Sequence, residues 1–243
     1  MFSNVVFWDV TPYVTLAVLV LGSWWRYHYD KFGWTSRSSQ IYESRLLRIG
    51  SPIFHFGILA VLAGHVMGLM IPPRVTHWLR VSDYTYHMQA VIAGSIAGTA
   101  TLVGIGLLIY RRFTRPAVSM ATTRSDKVMY VVLILAIVVG LYCDLIGTGP
   151  HGGEFHYRYT VGLWFRRIWL LQPHGEVMVN APLDYQLHAL IGMVLFMLVP
   201  FTRLVHVLSA PIGYLFRPYI VYRSRAAAPD GQLVGTAPRR RGW

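Results

Sequence analysis

Apolar residues in this chain fall into five long runs, at about 5–25, 52–71, 88–110, 128–147 and 183–209. Each run is far longer than an ordinary strand and reaches the roughly 20 residues that a membrane-crossing helix needs. Strands of a membrane barrel would be about 10 residues long with alternating polarity, and no such alternation is present. Every backbone polar group in lipid must find its partner within the protein, so five such runs predict an all-α bundle of five transmembrane helices. The fifth run holds about 27 residues, roughly 40 Å as a helix at 1.5 Å per residue. It exceeds a hydrocarbon core of about 30 Å and is expected to tilt, kink or project. Pro200 lies inside it and is the natural place for a kink.

Two loops are long. Residues 26–50 are rich in Tyr, Ser and Arg, and residues 148–182 carry Gly, His, Trp and Pro. Within the second, 161–171 reads as a short interfacial helix, with Trp164, Phe165 and Trp169 suited to the headgroup belt. The membrane domain is expected to occupy 1–222. The basic tail, 223–243, has the Ala, Pro, Gly and Arg content of a disordered segment. The first run has no basic residue before it and no small-residue cleavage site after it, so it reads as a retained helix.

Composition agrees with a membrane protein: 54% hydrophobic and only 13% charged, against about 25% charged in a soluble domain. The formal charge of +12 first suggests nucleic acid, but its distribution does not. In a five-span chain, 17 of the 22 Lys and Arg fall on one side, among them Arg26, Arg45, Arg111, Arg112, Arg124 and Arg203. The surplus is an orientation signal that places the C-terminus in the cytoplasm and the N-terminus outside. It would also suit anionic membrane lipid or an acidic partner. The single cysteine, Cys143, excludes an internal disulfide, and no C-x-x-C-H motif is present for covalent haem.

The chemistry lies in four histidines at membrane depth, where ionisable side chains are costly and usually functional. His55 and His65 lie on the second run, His188 and His206 on the fifth. His188 and His206 are 18 residues apart, five whole turns and about 27 Å along a helix. His55 and His65 are ten apart, about 15 Å. The two runs are antiparallel, so depth pairs His55 with His206 and His65 with His188. Two bis-histidine b haems, one near each surface, would fit this arrangement. Histidines this far apart on one helix cannot share one ion. The mismatch between 27 Å and 15 Å counts against straight helices. Gly57, Gly64, Gly68, Gly94, Gly98 and Gly192 would admit a flat macrocycle or a closely packed helix. Arg203, Arg111 and Arg112 are candidate partners for haem propionates, or simple anchors at the membrane surface.

Three segments carry a family resemblance: GSWWRYHYDKFGW (22–34), SPIFHFGILAVLAGHVMGL (51–69) and LHALIGMVLFMLVPFTRLVHVLSAPIGYL (187–215). Over about residues 7–222 the chain resembles the gamma subunit of respiratory nitrate reductase, a five-span di-haem cytochrome b. The resemblance implies haem ligation by His55 with His206 on the cytoplasmic side and by His65 with His188 on the outer side. It further implies that menaquinol or ubiquinol is oxidised at the outer face. Electrons would pass inward to an iron–sulfur beta subunit and a molybdenum alpha subunit that reduces nitrate to nitrite. Some members place a lysine in the quinol site near the start of span three. This sequence has none there, and His87, beside Tyr86, is the nearest polar candidate. A histidine can bond a quinol hydroxyl and take its proton near neutral pH. Asp144, at the outer end of span four, is a candidate for passing protons. His28, His77, His151, His156 and His174 read as loop residues without assigned chemistry.

Two rival readings remain from sequence. The chain could be the cytochrome b anchor of another quinone-linked reductase, of the sulfite- or heterodisulfide-linked type. Alternatively, it could be a haem-free bundle whose histidines only join helices.

Overall fold

The structure is a computed structural model that describes residues 4–35, 39–40, 42–147 and 155–209. The expected tail at 223–243, the end of the expected membrane domain at 210–222, and His151 lie outside the described residues. Helix α1 spans Val5–Tyr29, capped by the Asn4 side chain, which accepts from the Val6 amide at 2.9 Å. Helix α2 covers Arg45–His65 and continues as a π turn, Val66–Met70. Proline opens the short α3, Pro73–Trp78, where its fixed φ and missing N–H cost nothing. Helix α4, Asp83–Thr114, is capped by Ser82, and α5, Pro116–Met120, again begins at proline.

A capping box starts α6, Arg124–Tyr142: Thr123 accepts from the Asp126 amide while Asp126 accepts from the Thr123 amide. Two of the helix's orphan donors are satisfied in this way. A second π turn, Cys143–Gly147, follows. Beyond it come α7 (Val161–Trp169), α8 (Gly175–Val179) and α9 (Leu183–Leu198). After α9 the chain runs through two 3₁₀ segments, Val199–Phe201 and Arg203–Ser209.

Five of these helical stretches are long and apolar enough to cross a membrane: Val5–Tyr29, Arg45–Met70, Asp83–Thr114, Arg124–Gly147 and Leu183–Phe201. The fifth run is thus not one long helix, because α9 stops at Leu198, ahead of Pro200. Large apolar side chains such as Val14, Leu21, Leu59, Ile96, Val131 and Leu135 point outward from the bundle. Lipid is an apolar solvent, so such a surface suits a membrane-bound chain.

Helices α2 and α4 pack unusually closely. A Cβ on Gly104 would clash with the Phe54 backbone nitrogen, and one on Gly57 would lie 2.8 Å from the Thr101 nitrogen. Both positions need glycine for backbone-to-backbone contact. At the end of the bundle where α1 begins, Trp8, Val161, Trp164, Ile168, Met178 and Met193 form a buried cluster. Helix α7 forms where a short interfacial helix is expected, but Trp164 does not serve the headgroup belt. It is buried, and its Nε1–H donates to the Trp8 carbonyl at 3.1 Å. Trp169 is the exposed member.

At the other end, Arg26, Arg111 and Arg203 sit together with the starts of α2 and α6. Their contacts show that α1, α4 and α9 finish where α2 and α6 begin.

Candidate functional site

The structure brings the four membrane histidines together as two pairs. The ring centroids of His55 and His206 are 6.2 Å apart, and those of His65 and His188 are 5.9 Å apart. A metal bonded to imidazole sits about 2 Å from the nitrogen. The ring centre lies about 1 Å further back, so two trans imidazoles on one metal place their centroids about 6.3 Å apart. Both pairs have the spacing of an axial ligand set.

The tautomers agree. His55 Nδ1 lies 2.7 Å from the Ser51 carbonyl and His65 Nδ1 lies 2.8 Å from the Val61 carbonyl, each one turn back on α2. His206 Nδ1 lies 2.5 Å from the Arg203 carbonyl. A carbonyl can only accept, so in these three rings Nδ1 carries the proton and Nε2 keeps its lone pair for a metal. His188 differs: its Nδ1 is buried and makes no hydrogen bond of good geometry among the described residues, the Ala136 backbone being within reach of the ring. Among the described residues no three His, Cys, Asp or Glu side chains converge on one point. Imidazole pairs alone complete a centre whose other ligands come with it, as a haem's do. Open space at Gly64 and Gly192, where a Cβ would meet nothing within 4 Å, adjoins His65 in sequence and follows His188 by one turn. The residues therefore fit two bis-histidine haems.

The pair at the basic end, His55 with His206, depends on the break after α9. Thr202 adopts an extended conformation, φ −125° and ψ −178°, which redirects the chain and removes the spacing conflict of a straight helix. Breaking a helix at membrane depth frees carbonyls that need donors. Arg26 supplies them. Its Nη1 donates to Pro200 O at 2.6 Å and Thr202 O at 2.9 Å, and its Nη2 to Gly33 O at 2.6 Å. One turn earlier on α1, a Cβ on Gly22 would lie 2.9 Å from Pro200 Cγ, so only glycine lets α1 approach the break. Arg203 then fastens the redirected segment to α6. It forms a two-point bond with Asp126, Nε to Oδ1 at 2.7 Å and Nη2 to Oδ2 at 2.5 Å, with the Asp126 carboxylate buried and Arg203 largely covered.

The pair at the opposite end, His65 with His188, lies between regular helices. A Cβ on Gly140 of α6 would lie 2.8 Å from His188 Cε1, so the ring rests directly on that glycine. Nearby, the Asp144 carboxylate accepts from Ser95 Oγ at 3.0 Å, within electrostatic reach of both His65 and His87. Arg158 is buried over the Tyr86 ring at 3.7 Å and donates to Thr76 Oγ1 at 3.1 Å. Tyr157 packs on Gly68, and burial pushes its phenol well above the ordinary range, so it stays protonated.

The candidate propionate partners have other duties in this structure. Arg111, 1% exposed, donates to the Glu43 carboxylate at 2.6 Å, and to Ser39. Arg203 holds Asp126. Arg112 donates to Thr122 at 2.9 Å and lies over the Tyr130 ring. Of the glycines singled out in the sequence, Gly57, Gly68, Gly94 and Gly98 serve packing against Thr101, Tyr157, Asp144 and Leu141. Among the other histidines, His77 pairs with Asp83 and His174 with Arg167. His28 belongs to the last turn of α1 rather than to a loop. Sequence reasoning missed Arg26, Asp126, Gly140 and Ser95. The available signals, a charge beside an apolar run for Arg26 and Asp126 and a small residue within one for Ser95 and Gly140, also describe anchors and simple packing.

The profile of the nitrate reductase gamma subunit family matches residues 4–225. The chain is 62% identical over 237 residues to the nitrate reductase-like protein NarX of Mycobacterium tuberculosis strain H37Rv. That match covers 98% of this chain but only 36% of the relative. The nitrate reductase gamma chain of Bacillus subtilis is 41% identical over 224 residues, covering 92% of this chain and 100% of the relative. The respiratory nitrate reductase 2 gamma chain of Escherichia coli is 35% identical over 226 residues, covering 92% and 98%.

Proposed function

The chain belongs to the nitrate reductase gamma subunit family, and on that premise we propose that it oxidises quinol and delivers the electrons through two b haems. The observation that carries this is the pair of imidazole couples at 6.2 and 5.9 Å. When bound, each haem supplies a one-electron iron couple.

The residues of this chain do the rest. His55 and His206 hold one haem at the basic end, and His65 and His188 hold the other. Ten residues of α2 set the two sites about 15 Å apart. The basic end faces the cytoplasm, where an iron–sulfur beta subunit and a molybdenum alpha subunit receive the electrons and reduce nitrate to nitrite. Quinol, as menaquinol or ubiquinol, reacts at the opposite, outer end near His65, with His87 bonding a quinol hydroxyl. Of the three arginines considered for propionates, we favour Arg112, because Arg111 and Arg203 already hold carboxylates of this chain.

A pyridine haemochrome assay on the purified complex tests the reading, with two b haems expected per gamma chain. His65→Ala and His188→Ala should each lower the count to one and abolish quinol-driven nitrate reduction. A soluble donor that feeds the cytoplasmic subunits should still support it. Two haems retained in either variant would sink the ligand assignment.

A further inference from the structure

A carboxyl group at membrane depth is expensive and functional by default. Asp144 is such a group, and its surroundings are built to receive it. It lies in the π turn Cys143–Gly147 at the end of span four. The other π turn, Val66–Met70, directly follows His65. Widened turns of this kind recur at functional sites. The carboxylate is seated in a socket on α4. Ser95 Oγ donates to Oδ2 at 3.0 Å, and a Cβ at Gly94 would lie 2.9 Å from the same oxygen. A side chain at 94 would force the carboxylate to shift.

The titratable groups around it come from several elements. His65 lies on α2, His87 on α4, Tyr157 on the connection before α7, Tyr185 on α9 and Cys143 on its own turn. Cys143 in turn faces Asp184 of α9. The carboxylate thus sits within reach of both a haem-ligand candidate and the histidine proposed to bond quinol.

We propose that Asp144, held by Ser95 in the Gly94 socket, is the base that accepts one of the two protons of quinol. The assignment rests on the quinol-oxidising function proposed above. Quinol becomes quinone by losing two protons and two electrons. As one quinol O–H bond breaks, an O–H bond forms on the Asp144 carboxylate. His87 takes the second proton. The two electrons are those that the proposed haem pair carries away, one at a time. Asp144 then releases its proton at the outer end and returns to the carboxylate.

The test uses the whole complex with Asp144→Asn, Asp144→Glu and Ser95→Ala. Asp144→Asn should keep two b haems, both reducible by dithionite, while haem reduction by quinol slows by about 100-fold, the scale of a lost general base. The wild-type rate should rise with pH, and that rise should flatten in Asp144→Asn. Asp144→Glu should recover most of the rate, and Ser95→Ala should shift the pH profile without abolishing it. The infrared carboxylic-acid band that appears when quinol is added should be missing in Asp144→Asn, a readout independent of turnover.

Wild-type rate and pH profile in Asp144→Asn would overturn the assignment and leave the quinol reading intact. Loss of a haem in that variant would make Asp144 structural and also overturn it. Failure of quinol to reduce the haems of the wild-type complex would sink the function on which it rests.

Discussion

The two histidine pairs have nearly the same spacing, but they are built in opposite ways. The pair at the opposite end uses residues of regular helices, with His65 closing α2 and His188 in the second turn of α9, and a glycine on α6 supports one ring. At the basic end, one partner, His206, lies on a 3₁₀ segment beyond a broken helix. Its position is set by polar contacts: Arg26 on freed carbonyls, Arg203 on Asp126, and the Arg203 carbonyl on the His206 ring. One site depends on shape and the other on charge. Polar substitutions should therefore damage one haem and volume changes the other.

The largest expected effect is that of Asp126→Ala. It leaves the largely covered Arg203 guanidinium without its carboxylate and also removes half of the α6 capping box. Breaking a buried pair on one side costs about 3–5 kcal/mol. The purified complex should carry one b haem per gamma chain, and the survivor should be the one that quinol reduces. A complex with both haems would show that the ion pair does not position His206.

Arg26→Ala comes next. Three carbonyls lose a charged donor at once, a loss of about 3 kcal/mol where water cannot replace it. The basic-end haem should be released at a lower temperature than its companion, followed by absorbance during heating. Equal release temperatures would show that the break in span five holds without α1.

Gly140→Ala reverses the comparison. The added methyl group would lie 2.8 Å from His188 Cε1, and overpacking of this kind costs about 1–3 kcal/mol. The reduced-minus-oxidised and electron paramagnetic resonance signals of the haem proposed at His65 and His188 should shift, while those of the one proposed at His55 and His206 stay in place. A shift in both signals would mean that the two sites are mechanically coupled rather than separate.

The same contrast explains what the sequence made legible. Five apolar runs identify five spans because lipid imposes length and apolarity on every residue of a span. The histidine pairs that meet in the structure are those that depth along antiparallel runs implies, since rise per residue is nearly fixed. Pro200 marks a kink by its missing N–H, but nothing local says that Thr202 will turn the chain or that Arg26 will reach it. Arg26 and Arg111 have the charge and placement of surface anchors, and only tertiary contacts reveal that both are buried. Trp164 misled in the other direction, because an aromatic in an interfacial helix faces headgroups or core depending on a partner, here Trp8, more than 150 positions away. Gly140 resembles any other glycine in a span until His188 is placed upon it.

The smallest expected effect concerns the basic end again, at the start of α2. Glu43 accepts from the Leu46 amide at 2.8 Å and from Arg111 at 2.6 Å. Burial works to raise its carboxyl pKa, but those bonds and the Arg111 charge together outweigh it and hold the group below its ordinary value of 4.5. A lowered folded-state pKa means that the contact contributes fully above the unfolded value and is lost as pH falls through the folded one. Hydrogen exchange at the Leu46 amide reports on it directly. Relative to Glu43→Gln, the wild-type amide should be better protected at neutral pH, and the difference should vanish in acid below pH 4.5. If the charge-based fastening of this end does not extend to the Glu43–Arg111 contact, the two proteins will exchange alike at every pH. In that case Arg111 is held by Ser39 and the Glu43 backbone carbonyl rather than by the Glu43 charge.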